Sequence, residues 1–439
     1  MYEQNKIIII GAGIAGLTAG LPLCRSGKKV IILEKEETCG GLARSVEFKG
    51  NTFDFGPHRF HTNDSEVLNF INEILENDKL TIKRNSKVWL FNHYHNWPLD
   101  YHSLFKLPYK IMFKSFLDLF NRTAFSENTF ENYVKSKYGD TLYKFFFEPY
   151  TKKFLNYPPS ELHSDWGKTG IDRAVITNEV KMNNLFDVAK SALLPKPVET
   201  DFIYPVKNGI QFFCDKMREK ISAAGGEIIT GEYPSVIKID DSDIDTVITN
   251  KNRILKNISK IIWTAPITDL INLLDIQNIN LEFLSSVFYN VILKSNVLLE
   301  YQWCYYGSND IFFNRISMPH TFSANNLNSS KKQTLCIEIA AADNTVIFNN
   351  PDSVLIKIID DLVKAKVIDS VNDIDDVNIV PIKNTYPIYK KNYLSELQNA
   401  KKRLTGINNL TLLGRSGEFW YNNMDHSIKS ALELCKQLF

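Results

Sequence analysis

The sequence predicts a mixed α/β fold with more than one lobe, and three observations carry this prediction. The chain has 439 residues, which exceeds what one simple hydrophobic core usually accommodates. Residues 6–10 (KIIII) form an unbroken β-branched run that is typical of a buried parallel strand. Gly11, Gly13 and Gly16 follow, before a helical stretch and a second apolar run at 28–35. Strand, glycine turn, helix and strand in this order predict a Rossmann-like βαβ unit.

Helical patterns dominate the next part of the chain. Apolar residues recur at helical spacing in 65–77 and 110–155, which predicts a mostly helical insertion. The segment 84–100 instead alternates around a polar centre (FNHYHN) and predicts a β-hairpin. The stretch 108–120 is basic and apolar. We expect it to be an amphipathic helix that packs on the protein, with peripheral membrane contact as the alternative.

Strand patterns dominate the second half of the chain. We expect 225–232 and 257–267 to rejoin the first lobe as strands, on either side of a turn-rich segment at 234–256. Residues 290–340 are predicted to be rich in strands. Residues 410–423 predict a late strand that ends in a glycine turn.

The chain ends in a predicted amphipathic helix at 424–439, with apolar residues on one face. Because strands of the first lobe are predicted at the start, middle and end of the chain, the Rossmann-like domain is predicted to be discontinuous. A helical insertion and a β-rich substrate domain would interrupt it. The predicted boundaries are 1–62, 196–275 and 406–439 for the Rossmann-like domain, 63–195 for the insertion and 276–405 for the β-rich domain.

Composition excludes several classes of partner. The 51 basic and 50 acidic side chains give a net charge of +1, so no basic field favours nucleic acid. The six cysteines have no paired spacing, which indicates reduced thiols and predicts neither disulfides nor a metal site. No apolar run reaches the roughly 18 residues that span a bilayer, and the first strand leaves no room for a signal peptide. We therefore predict a cytoplasmic protein without a transmembrane segment.

The glycine turn has the spacing that a dinucleotide diphosphate requires. Gly11 permits a tight turn, Gly13 lets the backbone approach the diphosphate, and Gly16 lets helix and strand pack closely. The helix N-terminus then offers free N–H groups and a positive dipole end to the phosphates. Glu34 ends the second strand, where a carboxylate accepts hydrogen bonds from a ribose diol.

The residues after Glu34 distinguish between dinucleotides. CGGLARS (39–45) supplies a second glycine pair, and FDFGPHRFHT follows at 53–62. Here the sequence resembles the FAD superfamily that holds amine oxidases, protoporphyrinogen oxidase, phytoene desaturases and UDP-galactopyranose mutase. The resemblance implies that the Rossmann-like domain binds FAD. It assigns this role to the glycine turn and to Glu34, Lys35, Gly41, Leu42 and Ala43.

Three distant stretches resemble the mutase branch of that superfamily. They are GDTLYKFFFEPYTKKFLNYPPSELHSDWG (139–167), WCYYGSNDIFFNRISMPHTFSANN (303–326) and the pair NTYPIY (384–389) and GRSGEFWYNNMDHS (414–427). A guanidinium suits diphosphate oxygens, and phenols add donors at little entropic cost. The resemblance implies a substrate site formed by Trp303, Tyr305, Arg315, Tyr386 and Tyr421. It implies further cofactor contacts from Arg84, Arg415, Asn423, Met424 and Asp425.

The chain departs from the mutase pattern at three places. The loop before His58 has Pro57 where a second glycine is usual, and proline removes a backbone donor. No arginine follows Trp166 at the usual spacing, so we assign the second diphosphate cation to Arg173, with Lys168 as the other candidate. The glycine-rich turn after the mutases' tyrosine–proline strand is reduced to YPVKNGI (204–210).

The resemblance implies a catalytic set of His58, Tyr305 and Arg315. For His58, contact with flavin or sugar and a satisfied core position both stay open. The implied reaction is ring interconversion, pyranose to furanose, of a UDP-sugar-like substrate through an adduct at N5 of reduced FAD, with no net redox change. NAD(P)H is a candidate reductant, and a precursor of a surface polysaccharide is the expected product. The protein could form a homodimer, and the sequence leaves this open.

Two alternatives to the mutase interpretation remain. One is a true FAD oxidoreductase of the amine oxidase, protoporphyrinogen oxidase or desaturase type, which passes a substrate hydride to the flavin. The other is a flavin-binding scaffold that has lost catalysis. An oxidase site should be lined by an aromatic cage without a diphosphate clamp, so the clamp residues decide between the enzyme classes.

Overall fold

The computed structural model describes residues 5–97, 108–118, 128–174 and 201–439, and the side chains of these except 116 and 170–174. The strands are β1 (Lys6–Ile10), β2 (Lys29–Leu33), β3 (Ser45–Phe48), β4 (Asn51–Asp54), β5 (Lys79–Lys83), β6 (Ser86–Leu90), β7 (His93–Asn96), β8 (Asp201–Pro205), β9 (Glu227–Ile229), β10 (Pro234–Asp240), β11 (Asp243–Thr249), β12 (Ile254–Leu255), β13 (Ile258–Trp263), β14 (Phe283–Leu293), β15 (Trp303–Tyr306), β16 (Arg315–Ser317), β17 (Thr334–Ala341), β18 (Ile374–Pro387) and β19 (Leu410–Leu412).

Helices flank these strands along the described ranges. The α-helices are Ile14–Arg25, Ser65–Leu75, Tyr109–Asp118, Phe130–Leu142, Glu148–Leu155, Asp165–Ala174, Gln211–Ala223, Ile267–Leu273, Val346–Asn349, Leu355–Lys364, Tyr393–Leu404, Gly414–Gly417 and Met424–Leu438. A π-helical turn at Tyr143–Phe147 joins two of them.

A five-stranded parallel sheet, in the order β19-β13-β1-β2-β9, forms the first lobe. It draws strands from the start, middle and end of the chain, as predicted. Its central strand β1 is buried from Ile7 to Ile10, since helices cover one face and the strands β11 and β12, with the helix Ile267–Leu273, pack on the other. On one face the helix Ile14–Arg25 packs against Met424–Leu438 and Gln211–Ala223. The predicted α/β class and the Rossmann-like unit are therefore confirmed.

A seven-stranded mixed sheet, in the order β18-β14-β17-β16-β15-β6-β7, forms the second lobe. Its register aligns three charged or polar side chains across neighbouring strands. Glu338 on β17 lies opposite Arg315 on β16, and Arg315 lies opposite Tyr305 on β15. Because successive side chains of a strand point to opposite faces, these residues share the face turned toward the parallel sheet. Cys304 and Tyr306 pack on the other face.

Two sequence-based expectations need correction. The hairpin at 84–100 is present as β6 and β7, but β6 pairs in parallel with β15. It extends the large sheet instead of belonging to the helical insertion, and residues 98–100 lie outside the described ranges. The segment 234–256, expected to be turn-rich, forms the antiparallel sheet β10-β11-β12. Its alternation is weak because charged residues such as Lys238 and Asp240 occur within a half-exposed strand.

The helical segment 110–155 is confirmed for its described residues, with a break at Gly139 (φ +84°). Its first helix, Tyr109–Asp118, packs less completely than expected. Ile111 is buried, whereas Tyr109 and Phe113 are 71% and 63% exposed. The helix is tied down at its end because the carboxylate of Asp118 accepts a hydrogen bond from the backbone of Thr141. None of the described helices is long and apolar enough to cross a membrane.

The contact between the glycine turn and the first helix yields a test of the fold. A Cβ on Gly16 would lie 2.0 Å from the carbonyl oxygen of Gly11. We expect Gly16→Ala to lower the free energy of unfolding by about 3 kcal/mol, because neither backbone segment can yield without strain. Urea titration measures this. Gly406→Ala is the matched control, since a Cβ there meets no atom within 4 Å, and an equal loss in both variants would contradict the packing role.

Candidate active site

The glycine turn between β1 and the helix Ile14–Arg25 forms one end of the site. Gly11 has φ +100°, a conformation that other residues rarely adopt, and a Cβ there would lie 2.5 Å from Oγ1 of Thr264. The predicted roles of Gly11 in the turn and of Gly16 in close packing are thus confirmed. Both contacts hold the N-terminus of the helix at the carboxyl edge of the parallel sheet.

The space in front of Gly13 is open. A Cβ on Gly13 would meet only Gly40 and Gly41, each at 3.9 Å. Gly41 itself has φ +58° and lines the same cleft. Main chain therefore forms this part of the wall, and the amides at the N-terminus of the helix Ile14–Arg25 can approach an anion closely.

Glu34 connects the end of β2 to the glycine turn. Its carboxylate accepts hydrogen bonds from the backbone N–H of Ala12 (2.7 Å) and of Glu36 (3.0 Å). Burial raises the pKa of Glu34, and the two hydrogen bonds from the backbone N–H groups oppose this shift. A carboxylate offers about four lone-pair positions, so two remain for a ribose diol.

One long cleft begins at these residues and runs between the parallel sheet and the large mixed sheet. Its volume is about 1400 Å³, above the usual range for a single small ligand, roughly 300–1000 Å³. The predicted residues on its walls are Gly11, Gly13, Glu34, Lys35, Gly41, Leu42, Ala43, His58, Tyr305, Arg315, Tyr386, Arg415, Tyr421, Asn423, Met424 and Asp425. The cleft therefore has room for a dinucleotide and a second ligand beside it.

His58 lies on the cleft wall between the two sheets. Its Nδ1 is buried and has no hydrogen-bond partner among the described residues. Burial, together with the smaller effect of the nearby charges of Arg415, Arg315 and Arg59, lowers the pKa of His58 to about 3. The imidazole is therefore neutral at physiological pH. An unpaired ring nitrogen on the wall favours ligand contact over a satisfied core position.

Arg315 already has a counter-ion in the protein. Its Nη2 lies 2.5 Å from a carboxylate oxygen of Glu338, whose side chain is 1% exposed. The hydroxyl of Tyr386 donates to the same carboxylate (2.7 Å) and accepts from Arg315 (3.3 Å). The closeness depends on Gly56, since a Cβ at that position would lie 2.7 Å from Nη2 of Arg315. The pair is fixed in place, as a ligand-binding guanidinium requires.

Arg415 and Tyr421 close the same end of the cleft from the parallel-sheet side. The guanidinium of Arg415 donates to the carbonyl oxygens of Thr385 (3.2 Å) and Asn422 (3.1 Å) and lies 4.9 Å from the ring centre of Tyr421. The ring of Tyr421 stacks on Trp166 (5.1 Å). Tyr421 therefore lies between a cation and the helical insertion.

The cleft wall does not include Trp303, Arg84 or Lys168. Trp303 is fully buried beneath the wall. The guanidinium of Arg84 lies against the indole of Trp303 and does not line the cleft. The loop carrying Arg59 covers the indole, and the substrate contact of Trp303 stays a prediction. Lys168 points to solvent and pairs with Asp165 (2.8 Å). The side chain of Arg173 lies outside the described residues, so its role stays a prediction.

Two residues of the site escaped the sequence-based prediction. Glu338 is the counter-ion of Arg315, and a lone acid within the apolar run LCIEIAA was the available signal. Arg59 lines the cleft next to His58, and its signal was a charged residue between two aromatic-rich segments of FDFGPHRF. Both residues can be found from the sequence only if a charged residue within an apolar segment is taken as a candidate functional residue.

The site fits FAD on three observations. A glycine turn and a buried acid lie at one end, which suits the ADP half of a dinucleotide. The cleft continues past them to Tyr305 and Arg315 on the large mixed sheet. At its far end the N-terminus of Met424–Leu438 points into the cleft, with Asn423 and Asp425 on the wall. A helix N-terminus favours an electron-rich ring edge.

Known proteins match this chain in sequence. A model of the NAD(P)-binding Rossmann-like domain matches residues 9–74. The dTDP-fucopyranose mutase of Escherichia coli is 29% identical over 170 residues, which is 36% of this chain and 44% of that protein. The UDP-galactopyranose mutase of Mycoplasma genitalium is 31% identical over 170 residues, 35% of this chain and 40% of that protein. The matches thus span less than half the length of these relatives.

Solved structures match over nearly the whole chain. Reduced UDP-galactopyranose mutase covers 99% of this chain, and 94% of that chain is matched, with a TM-score of 0.86 and 19% identity. A putative protoporphyrinogen oxidase from Exiguobacterium covers 99% of both chains with a TM-score of 0.76 and 15% identity. The chain therefore shares its fold with UDP-galactopyranose mutase and with the putative protoporphyrinogen oxidase. In sequence it is also similar to UDP-galactopyranose mutases, which confirms the resemblance of its motifs.

The position of Glu34 predicts an effect on cofactor binding. We expect Glu34→Gln to weaken FAD binding about 10- to 100-fold, because a charge-assisted hydrogen bond is worth roughly 1.5–3 kcal/mol. Titration of the apoprotein with FAD measures this. The exposed Glu47 supplies the matched control, Glu47→Gln. Equal affinities in the two variants would show that Glu34 does not serve the cofactor.

The neutral state of His58 predicts a pH dependence of stability. An unfolded histidine has a pKa near 6.5, and the folded value is about 3. Between these values the unfolded chain binds a proton that the folded chain does not, so stability falls as pH falls below about 6.5. His58→Gln should lessen the loss between pH 7 and pH 5 by at most about 2 kcal/mol.

Urea titrations at the two pH values measure this difference. His93→Gln is the control because His93 is exposed, and it should leave the pH dependence unchanged. A His58 variant that loses as much stability as the wild type on acidification would refute the neutral assignment.

Proposed function

We propose that this chain is an FAD-dependent nucleotide-sugar mutase that interconverts the pyranose and furanose forms of a UDP-sugar-like substrate. The single observation that carries the proposal is the cluster of Arg315, Glu338, Tyr386 and Tyr305 at the end of a dinucleotide cleft. The similarity to dTDP-fucopyranose and UDP-galactopyranose mutases supports it. Production of a surface polysaccharide precursor is the corresponding cellular role.

Local charge supports a diphosphate as the group that this cluster binds. The chain as a whole is nearly neutral, with a net charge of +1, yet Arg59, Arg315 and Arg415 all lie on the cleft wall. Of these, only Arg315 has a carboxylate within 4 Å among the described residues. An anionic ligand would stabilise the remaining positive charge, as guanidiniums do for phosphate oxygens.

Each residue of the cluster has a role that its position allows. Arg315 is held by Glu338, so it can bind a diphosphate without reordering its side chain. The phenols of Tyr305 and Tyr421 add donors around the leaving nucleoside diphosphate. Tyr386 donates its one proton to Glu338 and so helps to hold the clamp in place. The neutral imidazole of His58 can accept or donate one hydrogen bond to the sugar or the flavin.

The cofactor supplies the bond-forming chemistry in this proposal. When bound and reduced, FAD provides a nucleophilic N5 beside the anomeric carbon of the substrate. The protein's part is to bind the diphosphate, orient the sugar and stabilise the leaving group. This division agrees with the clamp, where Arg315 is held in place beside Glu338 and Tyr386.

Product analysis under reducing conditions tests the proposal. We expect dithionite-reduced protein to isomerise UDP-galactopyranose to the furanose without consuming oxygen, and chromatography of the sugar nucleotides measures this. Oxidised protein should be inactive. An oxidised substrate together with anaerobic bleaching of the flavin would instead place the protein among the oxidoreductases.

Binding of UDP tests the diphosphate clamp separately. Arg315→Ala should weaken UDP binding about 10- to 100-fold, by loss of charge-assisted hydrogen bonds. That variant also leaves Glu338 without its cation, so the double variant Arg315→Ala/Glu338→Gln removes the uncompensated charge. We expect the double variant to recover thermal stability but not UDP affinity in calorimetric titration. The exposed Arg403 supplies the control, Arg403→Ala, and wild-type affinity in the double variant would contradict the clamp.

A further inference from the structure

A second group of arginines lies beside the clamp, with Arg59 on the loop that follows β4 and Arg84 between β5 and β6. The guanidinium of Arg59 lies 4.2 Å from the ring centre of Trp303 and donates a hydrogen bond to the carbonyl oxygen of Pro57 (3.3 Å). Trp303 is fully buried, so the indole forms a floor that holds the guanidinium from below. The side of Arg59 away from the indole faces the cleft.

Arg84 approaches the same indole. Its guanidinium lies 5.3 Å from the ring centre of Trp303, and its Nε donates to the hydroxyl of Ser86 (2.8 Å). Its Nη1 is buried and has no hydrogen-bond partner among the described residues. A buried, unpaired donor on a cation is costly, so two guanidiniums at one indole indicate a position prepared for an anion.

The surrounding charges do not neutralise this pair. Neither Arg59 nor Arg84 has a carboxylate within 4 Å in the described part of the chain. Burial lowers the pKa of Arg59 to about 10, with repulsion from Arg84 as the next cause and a smaller opposing attraction from Asp425. Burial lowers the pKa of Arg84 as well. A bound anion would relieve both effects.

The pair of Arg59 and Arg84 contacts Trp303, which lies on the same strand as the clamp residue Tyr305. Trp303 and Tyr305 are two residues apart on β15 and therefore share a face. Their separation along the strand is about 7 Å. The stacked rings of Tyr421 and Trp166 close the clamp on the side of the helical insertion, and His58 and Arg59 continue it toward the cofactor cleft. A sugar attached to the clamped diphosphate and extending toward the flavin passes Arg59.

We propose that Arg59, with Arg84 behind it, binds an anionic group on the sugar itself, so that the substrate is a nucleotide sugar carrying a carboxylate, such as a hexuronate. This inference rests on the proposed function and specifies its substrate class. Arg59 is the residue that contacts the carboxylate. Arg84 positions Arg59 through their shared contact with Trp303, and its positive charge adds to the attraction for the carboxylate. The clamp residues recognise the diphosphate in every substrate, whereas this pair selects among sugars.

Calorimetric titration of the flavin-loaded protein tests the inference with four probes. The probes are UDP-glucuronate, UDP-galacturonate, UDP-glucose and UDP-galactose. We expect wild-type protein to bind the two uronates at least about 10-fold more tightly than the neutral sugars, the value of one charge-assisted contact. Arg59→Met should abolish the preference, by lowering the affinity for the two uronates about 10-fold more than the affinity for the neutral sugars. Arg403→Met is the surface control and should keep the preference.

The outcomes separate this inference from the proposed function. Wild-type protein that binds UDP but shows no preference for uronates overturns the inference and leaves the mutase proposal intact. Failure to bind UDP at all overturns the mutase proposal. Arg59→Met with an undiminished preference overturns the inference too. A change in the flavin reduction potential of Arg59→Met, without a uronate preference in wild type, would assign the cation to the flavin and overturn the sugar contact.

Discussion

The site depends on one constraint, the common direction of the strands in the five-stranded sheet. Because β1, β2, β13 and β19 are parallel, their carboxyl ends meet at a single edge. The residues that follow each strand, Gly11, Glu34, Thr264 and Gly414, therefore lie together although they are far apart in sequence. Reversing any of these strands would remove its terminal residue from the cleft. The large mixed sheet turns one face to that edge. The alternation of side chains along its strands places Tyr305 and Arg315 on this face.

Charge placement in the cleft follows a different rule from charge placement on the surface. The buried pair of Arg315 and Glu338 has little net charge, and replacing it by apolar residues of similar volume is often neutral for stability. Its use is therefore geometric: the carboxylate orients the guanidinium and, through Tyr386, ties β17 to β18. Backbone carbonyls hold Arg59 and Arg415, which have no carboxylate within 4 Å among the described residues, so these two add positive charge to the hydrogen bonds that Arg315 offers a ligand.

Local patterns determine most of what the sequence predicts correctly. The run KIIII, the glycines after it and Glu34 are contiguous, so the βαβ unit and its ligand-facing turn follow from spacing alone. The position of the 84–100 hairpin does not follow from local spacing, because the pairing of β6 with β15 joins residues more than two hundred positions apart. The segment 234–256 was missed because its strands are polar and half exposed. Glu338 and Arg59 were missed for a related reason: their partners lie on other strands or loops, so no local spacing identifies them.

The distribution of cofactor residues along the chain has a consequence for synthesis. The glycine turn lies within the first twenty residues, whereas Arg415, Asn423 and Met424 lie within the last thirty. During translation the phosphate-binding half of the cleft is therefore made about four hundred residues before its opposite wall and the helix Met424–Leu438. In the meantime the nascent chain must hold β1 and its helix without these later partners. A flavin can be enclosed only once the later wall has folded against the glycine turn, so synthesis of the phosphate-binding half and closure of the cleft are separate events.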